Sequence, residues 1–501
     1  MMLSYRSRAV LTALVVGVLL GPSLRARDDV AAEVDIQFAD ILADESRCQD
    51  AVPLYRRARE VADGRARFRA SMGVVLCLIR TAEFRDARAE AAQLTAALPS
   101  NPLARALYGD ALWAMGFFDE AEAEYRHAVS LSATESRARN GLAKALAARN
   151  LLDDALTEAQ AAVALSPREP EFHHTLGYVL ERQRRYDEAA VAMHSFLNLI
   201  PNNDRSEKAL WTRQRVRFLE SFKERRPLFV DPERDGQTYV VPFKLVRDKI
   251  MVRAKVNGRE MDFVLDTGSE MTVVSERTAQ RVNIRPIIYT LAAGVGQVGL
   301  RGLQVGRADT FEIGKLKVEN VPTLIKNPPL RGLPTQEIES FSPLVLGFSM
   351  HIDYKRRLLT MGRALPPQTY DVELPLRHPR LAMVRGHVNG EHPVHFVVDT
   401  GGEVLTVSRA TDDDLQMTPV RHIPVKVYGT SGWDPEAFLL TGVNLAFDRI
   451  RMPNNAVVVL NLDAPSLLLG FELGGIVGHR FLSRYDVSID LQRSVLGLNG
   501  I

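Results

Sequence analysis

Phe263-Val264-Leu265-Asp266-Thr267-Gly268-Ser269-Glu270 is answered 133 residues later by Phe396-Val397-Val398-Asp399-Thr400-Gly401-Gly402-Glu403. Each copy runs apolar residues into a carboxylate and then into Thr-Gly, the pattern of a buried strand ending at a tight loop. The match continues on both sides. Upstream, Val256-Asn257-Gly258 and Val388-Asn389-Gly390 are hairpin-turn signals feeding the aspartate-bearing strand. Downstream, Thr272-Val273-Val274-Ser275 corresponds to Leu405-Thr406-Val407-Ser408. A glycine-bearing segment follows in each copy, Ala293 to Gly299 and Tyr428 to Trp433. Each copy is expected to close with an apolar pair and a glycine, Val345-Leu346-Gly347 and Ile476-Val477-Gly478, and then with Ile352-Asp353 and Ile489-Asp490. A single Asp-Thr-Gly reads as a strand-end turn whose aspartate caps backbone N–H groups. Two in matched surroundings read as a duplicated domain.

This order of motifs resembles the retropepsin-like aspartic proteases, over about residues 238 to 501. The resemblance implies two mainly-β lobes in which Asp266 and Asp399 form a catalytic dyad. Thr267, Gly268, Ser269, Thr400, Gly401 and Gly402 would be the supporting loops, and Gly294, Gly296, Gly429 and Gly432 would lie in flaps. The threonines would hydrogen-bond across the two loops. The loop glycines would let the backbone turn tightly, and Ser269, opposite Gly402, would give Asp266 alone a hydroxyl donor. Two carboxylates held close share one proton, so one serves as base and the other as acid, with no metal or cofactor needed. A protein that keeps the fold and binds peptides without cleaving them is the alternative.

The front half follows another logic. It is rich in Ala, Leu, Arg and Glu with helical periodicity, and a 34-residue step recurs. Ala87, Ala121, Ala155 and Ala189 keep that step, as do Gly109, Ala143 and Gly177, and Pro99, Pro167 and Pro201 share one register. Small residues at fixed positions let paired helices approach, and a proline ends each unit. This resembles the tetratricopeptide repeat. It implies helical hairpins at 34–64, 68–99, 102–133, 136–167 and 170–201, a capping helix from Ser206 to Lys223, and a concave groove for a peptide or protein partner. A mere spacer is the alternative. Each unit is expected to contact mainly its neighbours, leaving the lobes as an independent body.

Arg6 and Arg8 precede the uncharged stretch Ala9 to Leu20, which Gly21-Pro22-Ser23 ends. That stretch is short for a bilayer span and fits a secretory signal peptide over 1–26. Export to a periplasmic or extracellular compartment is expected, with a membrane contact only if the segment stays as an anchor. The remaining divisions are repeats at 30–223, a linker at 224–237, the first lobe at 238–364, a linker at 365–369 and the second lobe at 370–501.

Lys and Arg total 63 against 61 Asp and Glu, a balance that argues against nucleic acid as a partner. The two cysteines, Cys48 and Cys77, either bridge the first two hairpins or stay as buried thiols. His387, His392 and His395 match no zinc spacing and read as surface strand residues. His173-His174 reads as a pair on a helix surface.

Overall fold

The computed structural model describes residues 30–296, 301–326, 339–390, 392–415, 423–429 and 432–500. The expected signal peptide and the flap-tip residues Gln297, Val298, Gly299, Thr430 and Ser431 lie outside them. Among the described residues, no helix is long and apolar enough to cross a membrane.

An all-α solenoid precedes a mainly-β body. Its helices are α1 (30–44), α2 (Cys48–Val61), α3 (Gly64–Arg80), α4 (Phe84–Ala97), α5 (Pro102–Ala114) and α6 (Phe118–Leu131). They continue with α7 (Ser136–Ala148), α8 (Leu152–Leu165), α9 (Pro170–Arg182), α10 (Tyr186–Leu199) and α11 (Glu207–Glu220). The recurring alanines Ala87, Ala121, Ala155 and Ala189 are fully buried. At Gly109 and Gly141 a Cβ would fall 2.6 and 2.1 Å from the Tyr125 ring, so these small residues are set by helix–helix approach.

The two lobes repeat one plan. The strands Lys249–Val256 and Arg259–Leu265 join through Asn257 and Gly258, both at positive φ. Met383–Val388 and His392–Val398 join in the same way through Asn389 and Gly390. Both asparagines fix the next hairpin alike: Thr310 N donates to Asn257 Oδ1, and Asn444 N to Asn389 Oδ1.

One six-stranded antiparallel sheet fuses the lobes. Its order is Tyr239–Val246, Leu358–Gly362, Ser349–Asp353, Tyr485–Asp490, Val495–Gly500 and Val372–Arg377. The crossing between lobes pairs Val487 with Ile352 and Ile489 with Met350, all fully buried, so the two lobe cores merge into one.

The closing motif of the first lobe differs from expectation. Ile476 and Val477 pair in parallel with Val397 and Val398, and the equivalent partners of Val264 and Leu265 are Ser340 and Phe341. Backbone bonds agree, because Asp399 N donates to Val477 O and Asp266 N donates to Phe341 O. Ser340-Phe341-Ser342, and not Val345-Leu346-Gly347, is therefore the counterpart of Ile476-Val477-Gly478. This also restores matched spacing, since Asp353 follows Ser342 by eleven positions and Asp490 follows Gly478 by twelve.

The solenoid is not an independent arm. The C-terminal carbonyls of α5 and α7 lack helical partners. Glu472 N takes Ala114 O at 2.8 Å and His378 N takes Ala148 O at 2.7 Å. Ion pairs Arg377–Asp119, Arg385–Glu120 and Arg85–Asp414 surround these contacts. Phe118 is buried among Leu381, Met383, Val397 and Phe471 of the second lobe, and Phe218 and Phe222 share a cluster with Ile288 and Val305 of the first. Apolar surface on both bodies makes the docking favourable.

Candidate active site

Each candidate aspartate ends a buried strand where the backbone leaves the sheet. Thr267 and Thr400, 2 % and 0 % exposed, lock the two loops together. Thr267 N donates to Thr400 Oγ1 at 3.2 Å and Thr400 N donates to Thr267 Oγ1 at 3.1 Å. The hydroxyls donate across the interface in turn, Thr267 Oγ1 to Val398 O at 2.5 Å and Thr400 Oγ1 to Leu265 O at 2.7 Å. These buried polar groups are thus satisfied only when the lobes are in register.

This interlock brings Asp266 and Asp399 into hydrogen-bonding contact. Gly268 N donates to Asp266 Oδ1 at 3.1 Å and Gly401 N to Asp399 Oδ1 at 2.8 Å. The loop glycines serve close approach rather than a special turn. A Cβ on Gly268 would fall 2.6 Å from Asp399 Cγ, one on Gly401 2.7 Å from Asp266 Cγ, and one on Gly402 2.8 Å from Asp399 Oδ2. Each loop glycine at the third position lies against the opposite carboxylate.

Ser269 does not act as expected. Its hydroxyl donates to Met271 O at 2.8 Å. The hydroxyl that reaches Asp266 belongs to Ser340, whose counterpart in the second lobe is Ile476. The asymmetry anticipated at the fourth loop position therefore resides in the closing strands. Burial first, and the neighbouring Asp399 charge second, push Asp266 up to about 7, while Ser340 and Gly268 pull the other way. The pair holds a proton where an ordinary carboxylate has lost it.

Two hairpins overhang the dyad. Pro286–Ala292 pairs with Arg301–Ile313, and Val427–Gly429 pairs with Gly432–Asp434. They meet at their ends, because a Cβ on Gly429 would fall 2.1 Å from Val295 O. Gly294, Gly429 and Gly432 line the cavity with both aspartates, whereas Gly296, at φ 135°, is not in the lining. Lys249, missed in the sequence, donates from Nζ to Gly401 O and lies 3.9 Å from Glu403, bracing the second loop. Glu270 and Arg380 pair across the lobes at 2.8 Å beside the same cavity.

A family model described as aspartyl protease matches residues 252–349 and 384–473, once in each lobe, and one described as tetratricopeptide repeat matches 78–136, 108–170 and 140–193. The chain joins tetratricopeptide repeats to two retropepsin-like aspartyl-protease lobes. Among solved structures, 38% of the chain is similar to the whole of a thermophilic TPR protein in Thermus thermophilus, at 18% identity and a TM-score of 0.32. Pseudomonas aeruginosa pilF is similar over 40% of this chain and 88% of its own, at 17% identity and a TM-score of 0.29. MamA from Desulfovibrio magneticus is similar over 34% of this chain and 93% of its own, at 16% identity and a TM-score of 0.24. No curated protein matches.

Two further sequence expectations, on His395 and His174, change against the aspartyl-protease lobes and repeats. His395 is 4 % exposed and packs edge-on to Phe118, because its strand is covered by the array on one face and by its own lobe on the other. His174 faces inward between Phe196 and Trp211 instead of lying on the surface. The final strand, Val495–Gly500, stays within the second lobe, and Tyr485–Asp490 makes the inter-lobe pairing. Cys48 and Cys77 are free, buried and in hydrogen-bonding contact between α2 and α3.

Proposed function

We propose that this protein is an exported aspartic-type endopeptidase with Asp266 and Asp399 as its catalytic pair. The observation that carries the reading is the reciprocal Thr267–Thr400 interlock, which brings two carboxylates of one chain into contact at the floor of a cavity under two hairpins. With one proton on the pair, the ionised carboxylate takes a proton from water as the water oxygen bonds the peptide carbonyl carbon. The protonated carboxyl gives its proton to the carbonyl oxygen. Collapse of the tetrahedral species breaks the C–N bond and returns a proton to the leaving amine. The raised Asp266 suits the acid role, since it keeps its proton near neutrality. Gly268 N and Gly401 N hold the carboxylates in place.

Export rests on Arg6, Arg8 and the uncharged run behind them. The test is to incubate the mature protein and its Asp266→Asn and Asp399→Asn variants with a mixed peptide library across acidic to neutral pH, reading new termini by mass spectrometry. Cleavage by the parent and by neither variant is expected. Cleavage that survives either substitution would overturn the dyad, and no cleavage at any pH would favour a peptide-binding protein that has kept only the fold.

A further inference from the structure

Asp266 and Asp399 face a space that the lobes share with the repeats. One cavity of about 2540 Å³ is lined both by Asp266 and Asp399 and by the inner helices of the repeats, from Arg80 on α3 to Trp211 on α11. Sites for small molecules occupy about 300–1,000 Å³, so this space is scaled for a larger occupant. The solenoid also curls back on itself. Ser46, after α1, donates from Oγ to Asp204 Oδ1, after α10, at 3.3 Å, and both residues line the cavity. Arg80 of α3 and Glu171 of α9 feel each other's charge across the opening. The other rim is seated on the lobes through the ends of α5 and α7. The array is a collar, and the dyad lies at its base.

We propose that this collar is the access channel of the peptidase, admitting extended, unfolded polypeptide and excluding folded protein. The proposal rests on the peptidase reading for its chemistry but not for its binding step. The lining indicates the ligand class. Its charges are of both signs and paired, Arg137 and Lys144 sharing Asp110 at 2.9 and 3.5 Å, Arg215 with Glu181 and Lys208 with Glu171, so neither an acidic nor a basic ligand is selected. What remains is uncharged hydrogen-bonding capacity. Asn140, 5 % exposed on α7, has a buried Oδ1 with no partner, and so does His174 Nε2 on α9. Burial keeps the His174 ring neutral, with its value pushed down to about 3. Neutral amide and imidazole groups in a groove suit a ligand that offers an N–H and a C=O at every residue, which an extended chain does and a folded domain does not.

An unpartnered buried amide is also a cost to folding that function explains. Asn140→Leu should therefore leave the melting temperature unchanged or raise it while weakening the ligand. The experiment uses full-length Asp266→Asn, which can bind without turnover, with reduced and carboxymethylated lysozyme and native lysozyme as probes, read by fluorescence anisotropy. The unfolded form should bind and the native form should not. Adding Asn140→Leu should weaken binding about three- to tenfold. Hydrogen exchange should show protection on the inner helices α5, α7 and α9. Equal binding of native and unfolded lysozyme, unchanged affinity in Asn140→Leu with an unchanged melting temperature, or protection confined to the lobes would overturn the collar. If no short peptide is cleaved by the parent protein while these binding differences persist, the peptidase reading fails and the collar stands.

Discussion

Thr267 and Thr400 each accept the other's backbone N–H on their side-chain oxygens and donate their hydroxyls to a carbonyl of the opposite lobe. Removing one hydroxyl while keeping its shape strands a buried N–H and a buried carbonyl in the same step. Thr267→Val or Thr400→Val should cost about 2–4 kcal/mol of stability and most of the activity, whereas Thr→Ser at either site should retain both. Urea unfolding and peptide turnover on the four variants check this. A Val variant as stable as its Ser counterpart would show that the interlock is not what aligns the loops.

Gly268 and Gly401 face the opposite carboxylates at distances that leave no room for a methyl group. Gly268→Ala should thus displace Asp399 and abolish turnover while the remainder of the fold persists, as read by circular dichroism. Loss in kcat with little change in KM is expected, since the carboxylates separate but the hairpins and the collar are untouched.

A carboxyl raised in the folded state binds its proton more tightly there than in the unfolded chain. Its contribution to folding is present at low pH and disappears as pH rises from 3.8 toward about 7. Asp266→Asn is neutral throughout. It should be more stable than the parent by up to roughly 4 kcal/mol above about pH 7, with the difference vanishing below about pH 4. Thermal melts in acidic, intermediate and neutral buffers check the sign. A variant less stable than the parent at neutral pH would mean that Asp266 is stabilised in its charged form.

The loops that build the dyad are legible in the sequence because Asp-Thr-Gly, its strand and its turn are local and occur twice. Ser340 is not legible, because Ser340-Phe341-Ser342 lacks the glycine that marks Ile476-Val477-Gly478, and only strand pairing reveals the correspondence. The repeat period shows where small residues let helices approach, and the helices lie where that period puts them. The docking of those helices is silent in any one segment. Ala114 and Ala148 offer only backbone carbonyls, and Phe118 is indistinguishable by periodicity from a residue facing its own neighbours. His395 shows the same limit, since strand alternation cannot tell solvent from a second domain lying over the outer face.

That docking reverses the expectation that the lobes stand alone. Deleting residues 30–223 would uncover Leu381, Met383 and Phe471 on one lobe and Ile288 and Val305 on the other. The fragment should aggregate or bind a hydrophobic dye, and Phe118→Ala in the full chain should cost about 3–5 kcal/mol. A monomeric, cooperative fragment with the parent's melting temperature would show that the interface contributes nothing to the lobes.

The last expectation concerns how many chains build one site. Both carboxylates, both threonines and both halves of the six-stranded sheet come from the same chain, and the sheet crosses the lobes through Ser349–Asp353 and Tyr485–Asp490. A linker of a few residues, Leu365-Pro366-Pro367-Gln368-Thr369, keeps the lobes at a high effective concentration, and the solenoid grips both of them. Pairing between chains would have to break the merged core as well as the interlock. Asp266→Asn and Asp399→Asn should each be inactive, and mixing the two folded proteins should restore nothing. Activity that appears on mixing would show that lobes exchange between chains. Sedimentation of the parent at its monomer mass with full activity would separate that result from assembly of two intact sites.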